Sequence, residues 1–234
     1  MNDTGSYYVH NKEKLLKGIA GSILTGHVPP VLEHGYGKET AEQVMKGTGK
    51  KFDSYAAALP YGGDEDMHDA KDLIFAAWCL AYYRTMRESG RSAEEAGRAL
   101  YDATVEKMNA YPPFLMKLLG WILFTPVFKR INRRTQEATH GRKCKYCFVS
   151  NYVEGDGIRF DYGKDYIQCG INTYFREQGA EEFLPYMCCL DYPLARPIGI
   201  GFHRTTTLGI GGDRCDFRYK KGRETESGWP PKGA

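Results

Sequence analysis

The chain has 234 residues, of which 42% are hydrophobic and 26% charged, and a formal net charge of +3. This composition is typical of a soluble globular protein and argues against a disordered chain. The charge excess is too small to indicate a nucleic-acid-binding protein, so we expect no nucleic-acid partner. The N-terminus lacks the apolar run of a secretory signal, which favours a cytoplasmic location.

The first part of the chain carries apolar side chains at helical spacing, which predicts a helical N-terminal half. The glycine and prolines at 26–30 are expected to end the first helix. The predicted helices are 12–24, 38–59, one that follows an N-cap at Asp64, and one that follows a capping box formed by Ser92 and Glu95.

The most hydrophobic stretch is 114–128, which is predicted to form a buried helix that runs on to about Asn132. Lys117 and Pro126 interrupt it, and it is shorter than the ~20 residues of a membrane span. We therefore expect no stable membrane insertion. The basic stretch 129–145 lacks aromatic residues, which favours a solvated face over a nucleic-acid groove, although an interfacial membrane helix stays an alternative.

The spacing of apolar residues changes after Gly141, where they alternate with polar ones as they do in β-strands. This predicts an α+β fold in which the helical N-terminal half is followed by a ββααββ unit with an antiparallel sheet. The predicted strands are 145–153, 158–162, 200–208 and 214–219, and the predicted helices between them are 166–177 and 181–194. The predicted domains are a helical extension 1–64, an α+β domain 65–220 (helices over 65–140, the ββααββ unit over 141–220) and a flexible tail 221–234.

Seven cysteines, an odd number, in a chain without a recognisable signal argue for free thiols in a reducing compartment. Cys144 and Cys147 form a CxxC, but the second half of a zinc motif is missing. Alternation on a strand would also point their side chains to opposite faces. We therefore expect ordinary strand residues at these two positions.

Two further cysteines stand in chemically suggestive surroundings. Cys188 and Asp191 are three residues apart on a predicted helix and so share one side of it. Cys215 follows the glycine-rich loop 209–213, whose amides could bind a carboxylate or an oxyanion. Alternation on the predicted strand puts Cys215, Phe217 and Tyr219 on one face, with Asp216 and Arg218 on the other. Core packing explains either thiol as well as a pocket does. His203 is a candidate base, although a lone histidine is more often structural.

Three blocks of the second half resemble the L-2-amino-thiazoline-4-carboxylate hydrolase family. The resemblance extends over roughly 65–220 and is strongest after Tyr152. The blocks are FDYGKDYIQCG at 160–170, QGAEEFLPYMCCLD at 178–191, and RTTT at 204–207 with GGDRCDFR at 211–218.

This resemblance implies an enzyme that hydrolyses a C–N bond of a small cyclic amidine and opens the ring to an N-carbamoyl amino acid. The partner it implies is a small-molecule substrate that carries a carboxylate. The attacking group would be a thiolate or a metal-activated water. The family's recurrent cysteines fall on Cys169, Cys188 and Cys215, and its acids fall on Asp191 and Asp216.

The residues themselves suggest roles for these positions. Cys215 is the expected nucleophile because arginines flank it, and Cys188 is the second candidate. Asp191 would act as a base or orient a water, and His203 could assist. The remaining candidates would bind substrate: Arg204 or Arg218 by clamping its carboxylate, with Asp216 and Cys169 beside them.

Two alternatives remain open at this point. In one, the three thiols and Asp191 hold a divalent metal, so no cofactor is certain. In the other, the chain is a non-catalytic small-molecule-binding module that is loosely similar to 4-vinyl reductase domains. The oligomeric state is left open.

Overall fold

The structure is a computed structural model that describes residues 4–59 and 67–231. Its N-terminal half is helical, as predicted. The helices are α1 (Thr4–Leu15), α2 (Ile19–Ser22), α3 (Val28–Tyr36), α4 (Lys38–Ala58), α5 (Met67–Glu88), α6 (Ala93–Asn109), α7 (Pro113–Leu123) and α8 (Pro126–Thr139), and a π-helical turn (Ile23–His27) joins α2 to α3.

The details of the first helices differ from the prediction. Helical structure continues through 26–30, because the two prolines occupy the first turn of α3. The missing N–H of proline is tolerated at that position. The expected cap at Asp64 lies outside the described residues. The capping box is confirmed: Ser92 Oγ accepts from the Glu95 amide at 3.0 Å, and Glu95 accepts from the Ser92 amide at 2.8 Å.

The C-terminal half folds as a ββααββ unit with short additional helical turns, which confirms the α+β prediction. Its four strands form one antiparallel sheet in the order β1-β2-β4-β3. Its elements are β1 (Val149–Glu154), β2 (Tyr162–Gln168), α9 (Gly170–Glu177), α10 (Leu184–Cys189), α11 (Asp191–Ala195), β3 (Phe202–His203) and β4 (Cys215–Tyr219).

The predicted boundaries in this half were partly wrong. Tyr166 was assigned to a helix, but it pairs with Ser150 on β1 and with Cys215 on β4. Pairing on both sides outweighs the local helical pattern, since strand preference depends strongly on context. The predicted first strand begins only at Val149, and the predicted third strand shrinks to the two residues of β3.

Alternation on β4 follows the prediction. Cys215, Phe217 and Tyr219 lie on one face, where the register aligns them with Tyr166, Lys164 and Tyr162 of β2. We call these six residues the inner face of the sheet. Asp216 and Arg218 point the opposite way.

The largest hydrophobic core runs from Tyr8 on α1 to Leu190 after α10. It therefore includes helices on both sides of the predicted domain boundary at 64–65, and that boundary itself lies outside the described residues. No helix among the described residues is long and apolar enough to cross a membrane.

The segment after Lys220 lies against the folded body as far as Pro231. Thr225 is buried, and its hydroxyl accepts from the Phe202 amide at 3.0 Å. The Trp229 ring stands 5.4 Å from that of Tyr101. The tail thus makes more contacts than its polar, glycine-rich composition indicates.

Candidate functional site

Six side chains from separate parts of the fold approach one another between the inner face of the sheet and the helices. We call them the thiol–carboxylate cluster. The Cys169 thiol is within electrostatic range of Cys188 and Cys215, and Asp191 is within range of Asp72 and Lys164. The members are Asp72 on α5, Lys164 on β2, Cys169 before α9, Cys188 on α10, Asp191 on α11 and Cys215 on β4.

A buried ion pair anchors the cluster. Arg204 is 5% exposed, and its guanidinium donates to Asp191 Oδ2 at 2.7 Å and to the Cys188 carbonyl at 2.8 Å. Its charged carbon also stands 5.1 Å from the centre of the Phe217 ring, a favourable cation–π distance. Two of the five N–H donors of the guanidinium are used in these contacts, and Arg204 also lines the adjacent cavity.

Cys188 is the thiol with the largest number of groups that favour its anion. Burial raises its pKa, but the Arg204 charge, the Thr207 hydroxyl and the Gly209 amide each lower it in part. A Cβ on Gly209 would stand 3.0 Å from the Cys188 sulfur, so the loop packs directly on the thiol. Cys188 also remains partly accessible.

The other two thiols are less favourably placed as nucleophiles. Cys215 is 6% exposed and its sulfur accepts from the Leu208 amide at 3.2 Å, while burial raises its pKa to about 12. Burial also raises the pKa of Cys169 well above its usual range. At neutral pH both are therefore protonated thiols.

Asp72 is a carboxyl group whose pKa is shifted into the neutral range. Burial and, to a smaller extent, the nearby charges of Asp69 and Asp191 together raise its pKa to about 7. Its side chain is nonetheless accessible to water. Protein atoms around a side chain that still reaches solvent displace part of its bulk water and disfavour the charged form. A carboxyl group with this pKa can exchange protons near neutral pH.

Asp191 and Lys164 are the other two charged members of the cluster. The Asp191 side chain is 37% exposed, although burial raises its pKa against the lowering effect of Arg204. Burial lowers the pKa of Lys164, and the Asp191 charge partly offsets this. Among the described residues the Lys164 ammonium makes no ion pair within 4.0 Å. Its Nζ is therefore not engaged by a carboxylate of these residues.

The remaining predicted site residues lie apart from the cluster. His203 Nδ1 pairs with Glu226 at 3.3 Å and is 44% exposed. Asp216 accepts from the amides of Thr205 and Thr206 at 2.9 and 2.8 Å. It thereby fixes the backbone that leads to Thr207 beside Cys188.

Arg218 also points away from the cluster. It pairs with Asp165 at 2.7 Å on the outer face of the sheet, so it does not approach the thiols. Of the two arginines expected to clamp a carboxylate, Arg204 lines the adjacent cavity while Arg218 lies on the outer face.

A cavity of about 200 Å³ adjoins the cluster at Cys188 and Arg204. It is smaller than the roughly 300–1,000 Å³ of pockets for drug-sized ligands, so it suits a small molecule. Its other walls come from 205–207 and from the tail at 226–231.

The ligand atoms of Asp191 and the three cluster thiols do not form a group of three within 4.8 Å, and the only such group in the described part of the chain is Asp69 with Cys144 and Cys147. In that group the two sulfurs are bonded to each other, so the expectation of seven free thiols is wrong here. Both Asp69 oxygens accept from Arg142 at 3.0 Å. The group is thus a disulfide beside an ion pair rather than a set of open metal ligands.

Sequence reasoning missed two members of the cluster. Asp72 looked like an ordinary polar residue on a helix that was identified only by its apolar side. Lys164 stands between Tyr162 and Tyr166 on an alternating strand, and a lysine on an otherwise aromatic face is a signal for a buried cation. This pattern was not recognised because the predicted strand ended at Tyr162, before Lys164.

Comparison with known proteins gives one match. A family model described as L-2-amino-thiazoline-4-carboxylic acid hydrolase matches residues 71–219. The match spans all six members of the thiol–carboxylate cluster. No curated protein and no solved structure shows significant similarity to the chain.

Proposed function

We propose that this chain, which belongs to the L-2-amino-thiazoline-4-carboxylic acid hydrolase family, hydrolyses a small cyclic amidine that carries a carboxylate. The observation that carries the proposal is the meeting of three thiols, two carboxyl groups and a half-buried lysine in one cluster, next to the cavity at Cys188. Clustered titratable groups with shifted pKa values are typical of catalytic sites.

The proposed reaction is the addition of one water followed by opening of the ring. One water adds across the C=N bond of the amidine, so its oxygen bonds to the carbon between nitrogen and sulfur. Collapse of that tetrahedral carbon expels the ring sulfur, which takes a proton and becomes a thiol. The product is an N-carbamoyl amino acid. For a thiazoline the bond that finally breaks is thus C–S, while the C=N bond is the one that is hydrated.

In the proposed mechanism the Cys188 thiolate adds first and water then displaces it. Its proton passes to a neighbouring carboxylate, either Asp191 or Asp72. Arg204, Thr207 and the Gly209 amide stabilise the thiolate. Collapse of the Cys188 adduct breaks the ring C–S bond, and the carboxyl group gives its proton to the departing ring sulfur, which leaves the amidine carbon bound to Cys188 as an isothiourea. Water then adds to that carbon and gives a proton to the regenerated carboxylate. The C–S bond to Cys188 breaks, the Cys188 sulfur takes that proton, and the N-carbamoyl product is released. Water attacking directly, with the same carboxylate as base, would give the same product.

Release of the product thiol gives a direct assay. The purified protein is incubated with L-2-amino-thiazoline-4-carboxylate, and thiol formation is followed with a colorimetric thiol reagent. We expect many thiols per protein molecule, well above the protein's own cysteines. A correctly folded protein that releases none would contradict the proposal.

Lys164 is proposed to bind the substrate carboxylate. Replacing it in Lys164→Met should raise KM at least tenfold with a smaller change in kcat, because a charge-assisted contact present in both ground and transition states is lost. Lys164→Arg should recover part of the loss. Steady-state kinetics check this, with Lys46→Met on the exposed side of α4 as the control. An unchanged KM in Lys164→Met would exclude the role.

Asp72 should make the stability of the protein depend on pH. Its pKa is raised from 3.8 to about 7, so the folded state holds a proton that the unfolded state releases, and stability falls as pH rises through this range. Asp72→Asn removes that penalty. The variant should match the parent near pH 4 and gain on the order of 1 kcal/mol above pH 7, a value reduced for solvent exposure.

Urea unfolding at several pH values checks the Asp72 prediction. Asp53→Asn serves as the control because that carboxylate is exposed and lies on α4. A gain in Asp72→Asn that does not grow with pH would show that the Asp72 carboxyl is ordinarily ionised.

One observation favours a second candidate function. Cys215 is buried with a pKa of about 12, which is expected of a structural thiol in a non-catalytic binding module. The charged groups of the cluster would then select a small zwitterion or anion. Binding of the thiazoline carboxylate by calorimetry without thiol release would favour this module over the hydrolase.

A further inference from the structure

Helices α7 and α8 expose more apolar surface than a packed helical hairpin normally does. On α7 the exposed fractions are 69% for Phe114, 52% for Leu118 and 59% for Trp121. On α8 they are 69% for Val127 and 55% for Ile131. We call these five side chains the α7–α8 surface. The prediction that 114–128 forms a buried helix is therefore wrong: within α7 only Gly120 is buried.

The orientation of α8 is fixed by polar contacts instead of apolar ones. Its buried residues are Asn132, Gln136 and Thr139. The Thr139 hydroxyl accepts from the Ser150 amide at 3.0 Å, and Gln136 donates to Asn132 at 3.1 Å. Because these bonds hold the polar side inward, the helix directs Val127 and Ile131 outward.

Basic side chains stand among the exposed apolar ones. Arg130 lies three residues after Val127 and Arg134 three residues after Ile131, so each neighbours an outward apolar side chain of α8, and both are exposed. Neither makes an ion pair with a described residue. Lys117 adds an exposed cation on α7. This part of the protein thus combines exposed apolar side chains, including a tryptophan, with cationic side chains that form no ion pair with a described residue.

We propose that the α7–α8 surface binds reversibly to anionic lipid membranes, with its apolar side chains in the interface and its cations on lipid headgroups. Tryptophan with leucine and phenylalanine beside arginine and lysine is the composition of interfacial helices. The positive charge also argues against a second copy as occupant, because a two-fold contact would bring the arginines of both copies together. No residue of the thiol–carboxylate cluster is involved.

Vesicle co-sedimentation tests the proposal with the full chain. We expect binding to vesicles of phosphatidylcholine with phosphatidylserine, weaker binding to phosphatidylcholine alone, and a decrease as salt rises. Trp121 should give a blue-shifted emission on binding that is lost in Trp121→Phe. In Phe114→Glu/Trp121→Glu the affinity should fall at least tenfold. The matched control is Val9→Glu/Ile19→Glu, which changes two exposed apolar residues on α1 and α2.

Charge-reversal variants measure the electrostatic contribution to vesicle binding. Arg130→Glu/Arg134→Glu should lose at least tenfold in affinity for anionic vesicles, while Lys46→Glu/Lys50→Glu on α4 changes net charge equally and should not. Sedimentation velocity of the same proteins measures self-association. No vesicle binding by the parent, equal loss in both charge pairs, or a dimer that only the α7–α8 variants abolish would overturn the proposal.

Discussion

Cys188→Ala is expected to lower kcat/KM for thiazoline ring opening by about 10³-fold or more, as removal of a covalent nucleophile usually does. The effect should lie in kcat, because the thiol takes part in bond formation and not in carboxylate binding. Cys215→Ala should cost far less, about tenfold. This order reverses the one that the flanking arginines of Cys215 indicated.

The reason for the reversal is the placement of positive charge. Arg218 points to the outer face of the sheet and Arg214 pairs with Asp213 at 2.8 Å. Arg204 is the cation that lies beside Cys188. Adjacent residues on a strand face opposite ways, so arginines next to Cys215 in sequence need not be next to its sulfur.

The control for this comparison is Cys79→Ala, which removes a fully buried thiol from α5 outside the cluster. It should alter stability slightly and activity not at all. Full activity in Cys188→Ala would show that water attacks directly. Equal losses in Cys188→Ala and Cys215→Ala would indicate that the thiols act by packing.

The sequence predicted the architecture well because hydrophobic spacing and capping are local. The capping box at Ser92 and the alternation of Cys215, Phe217 and Tyr219 were both confirmed. Predictions that required long-range pairing were wrong. The strand character of Tyr166 depends on Ser150 and Cys215, and neither neighbour can be read from the local pattern.

The site was partly predictable for the same reason. Cys188 and Asp191 were expected on one side of a helix, and the structure places both in the cluster. His203 lies on a strand next to β4, yet it faces Glu226 instead of the thiols. Asp72 comes from α5, far away in sequence, so only the packing of that helix against the C-terminal unit brings its carboxyl to the cluster.

Arg204→Met is expected to lower the free energy of unfolding by about 3 kcal/mol, as the loss of one partner of a buried ion pair typically does. The substitution removes the 2.7 Å contact to Asp191 and the 2.8 Å contact to the Cys188 carbonyl. Urea unfolding at pH 7 measures the change. Arg98→Met is the control: its pair with Asp102 is exposed, so it should cost less than about 1 kcal/mol.

The pH dependence of that loss identifies its source. Arg204 lowers the pKa of Asp191, so without it the folded state binds a proton more readily than the unfolded state does. Stability of Arg204→Met should therefore fall as pH rises, and the loss should be larger at pH 8 than at pH 5. Arg204→Met/Asp191→Asn should recover part of the loss at pH 8. If the double variant recovers nothing, the guanidinium stabilises the fold through its contacts with the Cys188 carbonyl and the Phe217 ring, and the carboxylate at the proposed site is not held by its charge.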